Sequence, residues 1–148
     1  MTVKEMWERY RKEAGISEDT SYDSWHFCNN EKDANELAEL TKKGIKRGTA
    51  GMLKSYEADD EPIPKVGDLI VITDWEGKGV CIIQVEKVEV LPFGEITEEH
   101  ARIEGEGDKS LDYWRQGHQK FFSQEAEALG IEFNEETEVV FETFKVVF

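Results

Sequence analysis

The chain has 148 residues, of which 39% are hydrophobic and 11% aromatic, enough for one domain with a buried core. Its formal net charge of −15 argues against a protein that coats nucleic acid through diffuse electrostatic attraction, because each phosphate would meet a repulsive surface. No apolar run approaches the ~20 residues that span a bilayer, and the N-terminus lacks the apolar stretch of a secretion signal, so we expect a cytoplasmic protein without membrane association.

The first third of the chain predicts two helices. Apolar residues recur at helical spacing over about residues 2–14, which indicates an amphipathic N-terminal helix. The aromatic stretch SYDSWHFCNN follows without helical order. Asn29 or Asn30 can cap a second helix, and Gly44 is a natural residue to end it.

The rest of the chain predicts strands and two further helices. Residues 57–65 form an acidic loop, and DLIVITDW and VCIIQVEKVEVL, joined by EGKG, indicate an antiparallel hairpin. Thr97 caps a short helix, Ser110 caps a long one over about residues 110–129, and VVFETFKVVF is a closing strand. We therefore predict a single α+β domain over residues 1–148, whose strands curl into a small sheet or barrel.

The two cysteines, Cys28 and Cys81, lie 53 positions apart and form no metal-binding motif. In a reducing compartment we expect thiols rather than a disulfide. The three histidines show no ligand spacing, so the sequence predicts no metal and no cofactor. The oligomeric state does not follow from these patterns.

Residues 42–54 form a basic segment in an otherwise acidic chain. They carry five of the 18 basic residues, three glycines and no acidic residue. Within it, Lys46 precedes Thr49 by three positions, which places both on one side if the backbone turns. A threonine hydroxyl needs a base to become a nucleophile, and a lysine becomes a base only if burial lowers its pKa. The alternative is a solvated lysine and an ordinary strand threonine.

Three other places could carry chemistry or bind a ligand. Glu104 and Asp108 stand in EGEGD, where a carboxylate could act as an acid, a base or a hydrogen-bond acceptor, or lie in a solvated loop. His118 lies on the apolar stripe of the long helix, as a core histidine or a ligand contact. Trp25 could form a stacking surface or anchor a loop in the core.

The ordered set of these segments resembles the ASCH family (activating signal cointegrator homology). The resemblance rests on GIKRGT at 44–49 after a helix, then PKVGDLIVI, then a Thr97-led helix that reaches Glu104. It extends through SYDSWHFCNNEKDANELAEL and EGEGDKSLDYWRQGHQKFF, and so covers nearly the whole chain. It implies a small β-barrel similar to PUA domains, with a cleft lined by the basic turn.

The resemblance also implies a function, in several versions. One ASCH branch deacetylates N4-acetylcytidine with a threonine nucleophile, a lysine and a glutamate, which fall here on Thr49, Lys46 and Glu104. In that branch an arginine stands two residues after the threonine, where this chain has Gly51. Another branch is assigned metal-dependent ribonuclease activity. The N-terminal helix and the helix over about 110–129 are additions to the pattern.

Two classes of function therefore remain, with a ribonuclease as a third. The first is an amidohydrolase on a modified nucleoside, with Thr49 as nucleophile, Lys46 as activating base and Glu104 orienting or protonating; it requires that Glu104 does not point to solvent. The second is a non-catalytic module that binds a nucleotide, a modified nucleoside or single-stranded RNA. The residues predicted to bind the ligand are Trp25, Arg47, Tyr56, Asp108, Arg115 and His118.

Overall fold

The computed structural model describes all residues from 1 to 148, with five α-helices and five β-strands. The helices are α1 (Val3–Ala14), α2 (Glu31–Lys42), α3 (Leu53–Ala58), α4 (Glu98–Glu104) and α5 (Leu111–Leu129). The strands are β1 (Asp23–Trp25), β2 (Gly48–Met52), β3 (Leu69–Thr73), β4 (Gly79–Pro92) and β5 (Glu138–Val146). This mixture confirms the predicted α+β class.

Local side-chain chemistry sets the ends of the helices. Asn30, Thr97 and Ser110 each accept a hydrogen bond from the backbone amide three residues further on. Each bond satisfies one of the amides that a first helical turn leaves without an internal partner. Gly130 ends α5 with a φ of 72°, a left-handed conformation that glycine adopts without a steric penalty.

Hydrogen bonds connect the strands into one sheet in the order β1-β3-β4-β5-β2. β3 and β4 are antiparallel, as the hairpin pattern predicts, and β1 runs parallel to β3. β2 is antiparallel to β5, in a register that places Thr49 opposite Glu142 and Ala50 opposite Phe141. Because β2 and β5 are far apart along the chain, this register depends on which faces are buried rather than on a turn.

The chain forms two compact units, each assembled from separate segments. Unit 1 comprises residues 1–46, 66–86 and 144–148, and unit 2 comprises residues 47–65 and 87–143. β4 and β5 contribute residues to both units. Since neither unit is continuous in sequence, the single domain over 1–148 stays the prediction for the chain's organisation.

Each unit has its own apolar core. In unit 1, Met6 and Trp7 of α1 pack with Leu69 and Val71 of β3 and with Ile82 of β4. In unit 2 the core lies among β2, α4, α5 and β5. Its buried members are Met52, Phe93, Ile96, Ala101, Trp114, Phe122, Ala126, Val139 and Phe141.

The structure differs from the sequence patterns in two short elements. The stretch SYDSWHFCNN has no helix, as expected, but contains β1. The predicted loop over 57–65 begins inside α3, whose first residue follows Met52 without a side-chain cap. A six-residue helix without a cap leaves little signal in the sequence, because tertiary packing supplies most of its stability.

Two general expectations concern thiols and membranes. No disulfide joins Cys28, which is exposed, to Cys81, which is buried. Burial raises the pKa of the Cys81 thiol to about 12. None of the helices is both long and apolar enough to cross a membrane. The cytoplasmic location stays a prediction.

Gly48, at the start of β2, should not tolerate a side chain. A methyl group there would lie 2.7 Å from Ile103 Cγ2, 3.0 Å from the Glu142 carbonyl oxygen and 3.1 Å from Phe141 Cζ. Two of these neighbours belong to the partner strand, so β2 would have to move away from β5. We expect Gly48→Ala to lower the free energy of unfolding in urea by about 1–3 kcal/mol.

Gly117 in α5 is the matched control. A methyl group there meets nothing within 4 Å, and the residue lies inside a helix. Gly117→Ala should therefore raise the free energy of unfolding by up to about 1 kcal/mol, the difference in helix propensity. Equal effects of the two substitutions would contradict the close packing of β2 on β5.

Candidate functional site

Lys46 differs from the other basic residues of segment 42–54. Lys42, Lys43, Arg47 and Lys54 are exposed, whereas Lys46 is only 1% exposed. Its backbone amide donates to Leu40 O at 3.1 Å, which continues the turn that ends α2. Within unit 1, its Nζ lies 5.0 Å from the centre of the Phe27 ring, a distance typical of a cation–π contact.

Thr49 lies on β2 directly opposite Glu142 of β5. Residues opposite each other in an antiparallel pair point to the same face, with Cβ atoms about 4.5–5.5 Å apart. Thr49 is half-buried and Glu142 is 3% exposed, although its neighbours on β5 are mostly apolar. Glu142 was not among the predicted site residues. The signal for it is a single acidic residue within the apolar run VVFETF.

Tyr56 of α3 covers the same face of the sheet. A Cβ built on Gly51 would lie 3.1 Å from Tyr56 Cε2 and 3.4 Å from its Oη, so the ring occupies the space beside Gly51. Alternation along β2 puts this space on the side of Thr49 and Glu142. Burial, together with Glu142 and two further carboxylates, raises the pKa of Tyr56 well above its ordinary value. The phenol therefore stays protonated at neutral pH.

Glu104 ends α4 and is 1% exposed, so it does not point to solvent. The backbone amide of Arg47 donates to Ile103 O at 2.8 Å, which places the end of α4 beside the start of β2. Trp114 Nε1 of α5 donates to Glu104 Oε2 at 2.5 Å, and His118 Nε2 lies 3.3 Å from Oε1. Both carboxylate oxygens of Glu104 thus have partners on α5.

His118 is held by three contacts. Its Nδ1 donates to the Trp114 carbonyl at 2.8 Å, its Nε2 faces Glu104, and its ring stacks on Trp114 with centroids 4.0 Å apart. Burial would lower the pKa of His118, but the Glu104 carboxylate, with Glu106 and the Trp114 carbonyl, outweighs it and raises the pKa. Glu104 therefore favours the protonated form of His118.

One group of side chains could in principle hold a metal ion. Glu104, Glu106 and His118 each offer one ligand atom, all within 4.8 Å of one another. A metal ligand must be a deprotonated histidine, whereas His118 Nε2 here faces a carboxylate that favours the imidazolium. His118 Nε2 and Glu104 Oε1 are 3.3 Å apart, which is an ion-pair distance.

The remaining predicted ligand residues have local partners. Trp25 is half-buried on β1, edge-on to Phe27 at 5.0 Å. Asp108 accepts from the Ser110 amide at 2.9 Å, next to the first turn of α5. Arg115 pairs with Glu135 and lies over the Phe93 ring at 4.9 Å. Their ligand contacts stay predictions.

Seven of the nine predicted site residues belong to unit 2, while Trp25 and Lys46 belong to unit 1. Within unit 2 the structure brings Glu104 to His118 and puts Tyr56 on the face of Thr49.

The surface has two open depressions. One is lined by residues of α2 and Lys43, and the other by residues that include Met1 and Phe148. None of the predicted site residues lines either depression.

The His118–Glu104 pair predicts a pH dependence of stability. Because the pKa of His118 is raised on folding, its stabilising contribution is complete below the unfolded pKa of about 6.5. The contribution disappears as the pH rises through the folded pKa. His118→Gln should therefore lower the free energy of unfolding by about 1–3 kcal/mol at pH 6, and by clearly less at pH 9.

The measurement is urea unfolding of both proteins at the two pH values. His26→Gln, which replaces an exposed histidine of unit 1, is the control and should leave the difference between the two pH values unchanged. A His118→Gln effect that is equal at pH 6 and pH 9 would show that His118 is not charged beside Glu104.

Comparison with known proteins identifies the fold. The family model of the ASCH domain matches residues 23–148. The crystal structure of an ASCH domain from Lactobacillus crispatus JV V101 is 39% identical, with a TM-score of 0.89 over 97% of this chain and 92% of that one. Protein EF3133 from Enterococcus faecalis V583 is 27% identical, with a TM-score of 0.87 over 98% and 87% of the two chains. No curated protein matches this chain in sequence.

A more distant structure, the hypothetical protein PH0355, shares the fold with a TM-score of 0.57 at 21% identity, over 86% of this chain and all of that one. The family match includes every segment from β1 onward, and thus Lys46, Thr49 and Glu104 together. This chain belongs to the ASCH domain family, whose fold is PUA-like.

Proposed function

We propose that the protein binds a nucleotide or modified nucleoside and hydrolyses an amide bond in it, such as that of an N-acylated cytidine. Thr49 is the nucleophile, Lys46 the activating base and Glu104 the carboxylate that orients or protonates. The family resemblance supplies the ligand class. The residues supply the chemistry, since a hydroxyl, an amine and a carboxylate are the groups that acyl transfer requires.

The observation that carries this proposal is the burial of ionisable groups. Lys46 and Glu104 are each 1% exposed and Glu142 is 3% exposed, in a chain whose other charged residues lie mostly at the surface. Burial of a charge is expensive, and perturbed ionisable groups therefore concentrate at functional sites. A protein that only attracted phosphate would need none of its charges buried.

A second candidate is a non-catalytic module for RNA or a nucleotide. The observation in its favour is that the other four basic residues of segment 42–54 are exposed and can contact phosphate. In an acidic protein such contacts are few. Binding to a long duplex should therefore be weak and steeply salt-dependent, and binding of one nucleoside should depend much less on salt.

Lys46→Arg separates the two candidates. The substitution keeps the positive charge, but a guanidinium stays protonated and cannot act as a base. In a screen of acylated nucleosides and short RNAs, we expect this variant to bind like the wild type and to lose about 10²–10⁴-fold in turnover. Thr49→Val, which removes the hydroxyl and nearly keeps the shape, should behave alike.

Lys12→Arg, on the exposed surface of α1, is the control and should keep both binding and turnover. The binding module predicts a different result. Lys46→Arg would then match the wild type in every assay, and Lys46→Ala would bind more weakly. Full turnover by Lys46→Arg would exclude a catalytic lysine.

A further inference from the structure

Glu142 is buried like Lys46 and Glu104 but has no chemical role in the function proposed above. It is 3% exposed on β5, where Val139, Val140, Phe141 and Phe144 are all buried and apolar. A glutamate in such a strand costs stability relative to an apolar residue of similar volume. Because Glu142 lies on the same face of the sheet as Thr49, a function at Thr49 would explain why a glutamate is kept there despite this cost.

The geometry suits a water molecule between Glu142 and Thr49. The two residues are direct cross-strand partners, so their Cβ atoms lie about 4.5–5.5 Å apart on one face. The glutamate side chain is longer by two bonds and can reach past the threonine hydroxyl. A general base acts directly or through one water, and this spacing allows the second arrangement.

Glu104 lies against α5. Its two oxygens are 2.5 Å from Trp114 Nε1 and 3.3 Å from His118 Nε2. Unit 2 thus contains two buried carboxylates, Glu104 and Glu142, and Glu142 is the one that is the direct cross-strand partner of Thr49.

We propose that Glu142 is the general base for the second half of the reaction, the hydrolysis of an acyl group held on Thr49. This inference rests on the proposed function. In the first half, Lys46 takes the hydroxyl proton of Thr49 while Thr49 Oγ bonds to the amide carbonyl carbon; the C–N bond then breaks, and the proton passes from Lys46 to the leaving amine. In the second half, a water oxygen bonds to the same carbon while Glu142 takes the water proton.

The C–Oγ bond to Thr49 then breaks, and the proton passes from Glu142 to Thr49 Oγ. The products are a carboxylic acid and the regenerated hydroxyl, so atoms and charge balance without another reactant. The neutral phenol of Tyr56, on the same face, can donate its O–H to the carbonyl oxygen as negative charge develops there. The assignment gives each half-reaction its own base, Lys46 for acylation and Glu142 for deacylation.

Glu142→Gln tests this, because it keeps the shape and removes the base. With N4-acetylcytidine, the variant should release about one equivalent of cytidine rapidly and then turn over about 10²–10⁴-fold more slowly than the wild type. Intact-protein mass spectrometry of Glu142→Gln should show one added acetyl group. The Thr49→Val variant, which has no hydroxyl at position 49, should show none. 4-Nitrophenyl acetate, whose leaving group needs no protonation, serves as a second probe and should give the same burst.

Glu125→Gln is the matched control. Glu125 also lies in unit 2 and also acts on the pKa of Tyr56, but it belongs to α5, where it accepts from the Ser55 hydroxyl at 3.3 Å. This variant should show no burst and no trapped acetyl group. Glu142→Asp keeps a carboxylate one methylene shorter and should deacylate at an intermediate rate. If thermal melting shows that Glu142→Gln does not fold, the deacylation rate of Glu142→Asp tests the proposal instead.

The outcomes separate the two proposals. A wild type that turns over neither probe removes the proposed function and this inference with it. An active wild type alongside a Glu142→Gln or Glu142→Asp protein that accumulates no acetyl group overturns the inference alone. Equal loss of acylation and deacylation in either variant also overturns it, since the assigned role belongs to one step.

Discussion

The contact on which unit 2 depends is the hydrogen bond from the Trp114 indole to the Glu104 carboxylate. It joins the last residue of α4 to the first turn of α5, and the His118 ring, stacked on Trp114, places its Nε2 3.3 Å from the same carboxylate. A buried carboxylate is tolerable only when its oxygens are satisfied and its charge is paired. The helix over 111–129 lies within the family match and supplies two partners of Glu104, a residue that the resemblance places in the site.

A second constraint is the register of β2 on β5. It puts a hydroxyl opposite a carboxylate and leaves glycine at positions 48 and 51, where larger side chains would meet β5 or the Tyr56 ring. Where one ASCH branch is described with an arginine, this chain has Gly51 beside a neutral phenol. This face therefore carries the Thr49 hydroxyl, the buried Glu142 and the Tyr56 phenol, with no side chain at position 51.

Much of the fold follows from local chemistry that is visible in the sequence. The caps at Asn30, Thr97 and Ser110 and the β3–β4 hairpin depend on residues a few positions apart, and all appear as expected. What the sequence could not indicate depends on distant pairing. The position of Glu142 opposite Thr49 depends on a strand register set by burial, and the position of Tyr56 over Gly51 depends on a short helix with no capping signal.

The basic segment within this acidic chain contains two kinds of basic residue that composition alone does not separate. Four of its five basic residues are exposed, and under the proposed function they partly offset a strongly negative surface for an approaching polar ligand. Lys46 differs from them, because its amine is almost wholly withdrawn from water and lies against the Phe27 ring. A basic residue that attracts a ligand over a long range acts from the surface, where it stays charged. An amine that acts as a base must instead be buried, and in segment 42–54 Lys46 is the only basic residue that is buried.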